Sequence, residues 1–187
     1  MSFNQERANT MNSLAISNAI RRLEVDNTSW VTALMYTILF GPPAGIEDIR
    51  QRLLRNAEDF GRLFGQIYGP EVGDHMKSIM ERYLDGSIAL IEAYRDEDLT
   101  AIQESRGVLY DIADELALLF SSVNPYWDRY SVQAVLYKII YGNEEEILRI
   151  KNRDYARSIQ AHDELQTLLY EFSDELAAGI IRQFGTG

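Results

Sequence analysis

The run Val108-Leu109-Tyr110-Asp111-Ile112-Ala113-Asp114-Glu115-Leu116-Ala117 returns 60 positions later as Leu168-Leu169-Tyr170-Glu171-Phe172-Ser173-Asp174-Glu175-Leu176-Ala177. Both copies carry apolar residues three and four apart, the spacing of one helix face. The echo predicts two equivalent helices, each the second member of a duplicated helical hairpin. A weaker match, offset by 56, pairs Gly86 with Gly142, Ile91 with Ile147 and Arg95 with Lys151. Together they set residues 70–121 against 126–184.

The rest of the chain keeps the same period, and no stretch alternates like a half-buried strand. A first helix is expected over 13–40, with Ile16, Ala19, Ile20, Leu23, Trp30, Leu34, Thr37 and Ile38 on one face, ended by Gly41-Pro42-Pro43. Residues 46–68 read as two short helices, with Asn56 capping the second. Pro70 suits a first helical position. Long helices follow over about 70–94, with Tyr83 on the inner face, and 99–121, with Val108 on it. Asp96 or Asp98 caps the latter, and Asn124-Pro125 marks the next start. Gly142-Asn143-Glu144-Glu145-Glu146 is either a stop with a new cap or a continuous helix with a polar core patch, and continuity is favoured. A final helix runs over about 154–184. The expected fold is all-α: one domain over 1–187, an antiparallel up-and-down bundle of four to five long helices plus two short ones, with an internal hairpin repeat.

Composition excludes several function classes. The 187 residues carry a net charge of −11, so nucleic acid and anionic membranes are not expected partners. Arg50, Arg52, Arg55 and Arg62 alternate with Glu47, Asp48, Glu58 and Asp59, as on a solvated helix face. There is no cysteine, hence no disulfide and no thiol chemistry. Met1–Arg7 lacks the pattern of a secretory signal. The apolar run Trp30–Phe40 is too short to span a bilayer, so a cytoplasmic protein is expected.

Catalytic motifs are equally sparse. His75 and His162 are the only histidines, so a three-histidine zinc site cannot be built. No Glu-x-x-His, phosphate-binding loop or Gly-x-Ser-x-Gly elbow occurs. Gly61-x3-Gly65-x3-Gly69 has helical spacing and reads as close packing. Glu115 and Glu175, equivalent in the repeat, read as rim residues. No catalytic residue, cofactor or metal is assigned.

The informative residues are polar breaks in apolar stripes: Asp26 and Asn27 in the first helix, Tyr83, Gly86 and Ser87 in the Pro70 helix, and Asn143 and Glu146 after Ile139. Buried charge is costly unless paired. The breaks meet in a polar core pocket, form a satisfied hydrogen-bond network, or reach solvent at different levels. As a pocket, the candidate ligand-binding residues are Asp26, Asn27, Tyr83 and Glu146.

Three stretches resemble a known family: Arg52-Leu53-Leu54-Arg55-Asn56-x-x-Asp59-Phe60-Gly61, Ser121-Ser122-Val123-Asn124-Pro125-Tyr126-Trp127 and Gly179-Ile180-Ile181-Arg182-Gln183-Phe184. They are similar to small all-helical bacterial proteins that often carry a transferred label of acetylglutamate kinase. That label implies an α/β fold with a glycine-rich nucleotide loop, and the sequence has neither signal. The resemblance implies histidines at the positions of Asn27, Tyr83 and Ile139, forming a metal site in a ferritin-like or DinB-like bundle, with Glu146 at an acidic position. All three histidine positions differ here, which implies a degenerate metal site on a retained fold. The expected role is non-enzymatic, interaction or structural, with a second copy or another protein as partner. The alternative is a small-ligand or metal-binding bundle.

Overall fold

The computed structural model describes residues 13–185. Met1–Arg7, considered above as a signal, lies outside them. The described residues form six helices and no strand: α1 (Ser13–Phe40), α2 (Ala44–Tyr68), α3 (Pro70–Asp96), α4 (Leu99–Val123), α5 (Arg129–Lys151) and α6 (Tyr155–Phe184). No helix among them is long and apolar enough to cross a membrane.

Sequence punctuation sets the ends. Gly69 turns at φ 101° between α2 and α3, a conformation only glycine adopts readily, and Pro70 opens α3. The Asp98 carboxylate accepts from the Thr100 and Ala101 amides at 3.0 Å, Asp128 from Ser131 at 2.9 Å, and Asp154 from Arg157 at 3.4 Å. Each satisfies amides that the first helical turn leaves unbonded. Asn124 does not start α5. Its buried side chain accepts from the Tyr126 amide and donates to the Tyr68 hydroxyl, fixing the turn that leads to Asp128.

Further expectations need correcting. Residues 44–68 form one continuous helix, not two short ones, so the bundle has six long helices. Asn56 does not cap, because its amide donates across to the Leu23 carbonyl of α1 at 3.1 Å. Trp30 and Val108 are also not core residues, at 37% and 49% exposure. Trp30 instead lies under the Arg52 guanidinium, 5.4 Å from its ring centre. Continuity through Gly142 holds: Leu165 of α6 packs where a β-carbon would stand.

Each helix packs against its neighbours in sequence, and α6 closes the ring on α1. Helices α1, α3 and α5 also touch one another, so they form the inside. The molecule is therefore three hairpins, α1–α2, α3–α4 and α5–α6, arranged about an axis. Their register is 56 residues. Ile20, Met76 and Val132, then Met35, Ile91 and Ile147, then Leu53, Leu109 and Leu165 are each 56 apart, and all are buried. Gly86 receives Leu109 as Gly142 receives Leu165. The stronger echo at 60 is this register displaced by four residues. A helix rotates only about 40° beyond a full turn in that span, so both offsets match apolar to apolar.

Between α2 and α3 the backbones nearly touch. A β-carbon at Gly73 would stand 2.5 Å from the Gly61 carbonyl oxygen and 2.7 Å from the Gly65 Cα. The Gly61 and Gly65 spacing is thus close helix packing, with Gly73 as its counterpart.

Candidate functional site

A cavity of about 60 Å³ lies on the axis where the hairpins meet, lined by side chains from all six helices. Its walls repeat the register. Glu24, Met80 and Leu136 form one set of equivalent positions, Asn27, Tyr83 and Ile139 a second, and Phe60, Leu116 and Phe172 a third. The lining is mostly apolar, with polar atoms from Glu24, Asn27, Thr28, Tyr83 and Asn143.

Those polar groups are only partly engaged. Asn27 Nδ2 donates to Asn56 Oδ1 at 3.0 Å, and Asn143 Nδ2 donates to the Tyr83 hydroxyl at 3.1 Å. Among the described residues Glu24 has no hydrogen-bond or ion-pair partner. Burial alone holds its carboxyl up at about 7, because removing a carboxylate from water disfavours its charge. The Tyr83 hydroxyl is pushed up to about 12, first by burial and then by the Glu24 charge. It stays a neutral hydroxyl at any working pH.

The four residues singled out from the sequence separate. Asn27 and Tyr83 meet at the cavity. Asp26 turns away and pairs with Arg52 of α2 at 3.1 Å, half exposed. Neighbours on a helix point about 100° apart, so Asp26 and Asn27 could not share a face. Glu146 is 2% exposed but lies in a separate cluster. Its Oε1 accepts from the Thr32 hydroxyl at 2.9 Å and stands 3.2 Å from His162 Nδ1, while Oε2 has no partner among the described residues. Burial raises its pKa, against the lowering effects of His162 and Thr32.

Glu24 and Asn143 complete the site without having been chosen. Asn143 was visible as a polar break. Glu24 becomes visible only when hairpins are compared, since its counterparts are Met80 and Leu136. Glu144 was also missed as a core residue: it accepts from the Tyr94 hydroxyl at 2.9 Å and from Arg106 Nε at 2.9 and 3.0 Å.

The three positions marked by the family resemblance, Asn27, Tyr83 and Ile139, all line the cavity. They offer an amide, a phenol and an alkyl group, which do not fit a three-histidine metal site. Among the described residues no three His, Asp or Glu side chains are grouped to hold a metal ion. The arrangement supplies one carboxylate, two amides and two hydroxyls in an apolar chamber, a binding chemistry. No protein family, curated protein or solved structure matches this chain.

Proposed function

We propose that this protein is a non-enzymatic helical bundle that binds a small molecule in its core. One observation carries the reading: polar groups with unused hydrogen-bonding capacity face an apolar cavity on the axis of the three hairpins. Ligand sites in bundles are commonly built this way, between facing helices. Both histidines lie elsewhere, on Glu115 and Glu146, so nothing at the cavity resembles a nucleophile with its base. In this reading the position once suited to a metal serves an organic ligand, inside a cytoplasmic protein. Thermal denaturation against a panel of small alcohols, amines and acids tests it. A ligand that stabilises the protein must lose its effect when Ala113→Leu fills the cavity. A panel with no hit, and a crystal structure with only water in the chamber, would refute it.

Self-association is a second reading, favoured by the distribution of exposed apolar side chains. Of thirteen large ones among the described residues, nine lie between Leu99 and Tyr170, and none is on α2 or α3. Tyr130 and Tyr141, 74% and 61% exposed, share one face of α5. Exposed apolar side chains gathered on some helices and missing from others suit a contact between subunits. Sedimentation should then show a dimer or larger species that Tyr130→Glu with Tyr141→Glu dissociates. A monomer at all concentrations refutes this second reading.

A further inference from the structure

Resting on the cavity-binding reading above, we infer that the ligand is a small primary ammonium ion, held by the Glu24 carboxylate and the side-chain carbonyls of Asn27 and Asn143. The hydrogen-bond inventory of the cavity points to a donor-rich cation. The Asn27 and Asn143 amides each donate one of two N–H bonds, to Asn56 and Tyr83, while among the described residues their carbonyl oxygens accept none, which leaves them open to a donor. Among the described residues Glu24 has no cation beside it, and the lining includes no Lys, Arg or His. An anion would meet a carboxylate there with nothing to offset it. A neutral apolar ligand would leave the half-buried carboxylate unpaired against an apolar wall, which is costly.

The hairpin register gives an independent argument. At the positions equivalent to Glu24 the scaffold carries Met80 and Leu136. The fold therefore does not need a carboxylate in this layer, and its presence calls for another cause. Four aromatic rings, Phe60, Tyr83, Phe120 and Phe172, also line the chamber, and aromatic faces attract cations.

Size and donor count choose the kind of cation. At about 60 Å³ the cavity is well below the ~150 Å³ that admits benzene in an engineered core. Ammonium on one or two carbons fits, and a quaternary ammonium neither fits nor donates hydrogen bonds. Met76 and Met80 in the wall are unbranched and adaptable, so slightly longer alkyl tails enter at some cost.

Binding also depends on the charge of Glu24. The titratable group facing it is Tyr83, which stays neutral. The walls from α2, α4, α5 and α6 present Phe60, Ile112, Ile139, Asn143 and Phe172, none of which titrates. With Glu24 titrating at about 7 and an alkylammonium charged throughout, affinity falls roughly 30-fold from pH 8.5 to 5.5.

The test is calorimetric titration of the full chain with ethylammonium chloride at pH 8. Ethanol, sodium propionate and tetramethylammonium chloride at matched ionic strength serve as comparisons. One-to-one binding of ethylammonium alone is expected, weakened at least tenfold by Glu24→Gln and also by Asn143→Leu, and lost at low pH. Both variants are checked for native helicity, and either one suffices if the other misfolds. Equal binding to Glu24→Gln, or equal binding of tetramethylammonium, overturns the inference. Ethanol binding as well as ethylammonium, with the effect blocked by Ala113→Leu, overturns the ammonium but keeps the cavity. No binding of any probe overturns both.

Discussion

Replacing Glu24 with Leu, the residue its counterpart Leu136 carries, tests the energetic cost of the cavity carboxylate. A carboxyl moved from its ordinary 4.5 to about 7 by burial carries roughly 3 kcal/mol of ionisation penalty once fully charged. The sign follows from proton uptake. The folded state binds the proton more tightly than the unfolded chain, so this group's contribution to stability is fully present below about 4.5. It is lost as pH rises through about 7. About 2 kcal/mol of the loss falls between pH 5.5 and 8.5, a range clear of the sequence pI near 4.6. Leu cannot ionise, so the stability difference between variant and wild type should grow by about 2 kcal/mol over that range. The packing change made by Leu is the same at both pH values and cancels, as do the other titrating groups. In thermal melts the widening is about 4 to 8 °C for a chain of this length. Urea denaturation at the two pH values measures it directly. A difference that stays flat with pH would mean that Glu24 is solvated or paired. The cavity would then hold no desolvated carboxylate.

Other positions give predictions of different sign and origin. Gly73→Ala puts a β-carbon against the backbone of Gly61 and Gly65. The α2–α3 contact must open, lowering stability by about 2 kcal/mol even after the helix-propensity gain of Ala. Gly107→Ala, with open space around it in α4, should instead raise stability by up to about 1 kcal/mol; melts of the two variants should move in opposite directions. Arg106→Met strands the buried Glu144 with only the Tyr94 hydroxyl and should cost about 2 kcal/mol, discounted because Arg106 is partly exposed. Adding Glu144→Leu should recover much of that loss in denaturant titrations. Gly179→Ala would drive a methyl group into the Trp127 indole, which is buried over this glycine. A red shift of tryptophan emission and a lower melting temperature are expected.

Much of the fold was legible because a bundle is written in short-range rules. The 3.6 period, Pro42-Pro43, Gly69-Pro70 and the capping aspartates each act within a turn or two of the chain, so the sequence carries them locally. Asn56 misled for the opposite reason. As a cap it would act locally, but its bonds run to Leu23 and Asn27 of another helix. The 60-residue echo misled because helical periodicity is nearly blind to a shift of one turn. At the site, Asn27 and Tyr83 were legible as polar interruptions of apolar stripes. Asp26 entered only by adjacency, and the rotation per residue sends it to Arg52. Glu146 was read correctly as a polar residue inside the stripe. Which neighbour it meets depends on the packing of α1 and α6, and that is not a local property. Glu24 follows Leu23 at the edge of its stripe, where a charge reads as the start of a solvated face.

The hairpin register separates what the scaffold requires from what it merely carries. Toward one end of the axis, Ile20, Met76 and Val132 fill the layer with three apolar side chains; toward the other, Met35, Ile91 and Ile147 do the same. Between them the three hairpins stop agreeing, with Glu24 against Met80 and Leu136, and Asn27 and Tyr83 against Ile139. A core under selection for stability alone has no reason to break its pattern at that level, since an apolar layer would pack without a desolvated charge. The breaks fall on α1, α3 and α5, the helices that contact one another, and they coincide with the cavity. Glu144 and Glu146 also break the register, but both are tied to side chains of neighbouring helices, Glu144 to Tyr94 and Arg106, Glu146 to Thr32 and His162. A departure from an internal repeat that has found a partner within the protein is accounted for by the fold. One that has found none, and faces a space, is accounted for by a ligand, and Glu24 is of that kind.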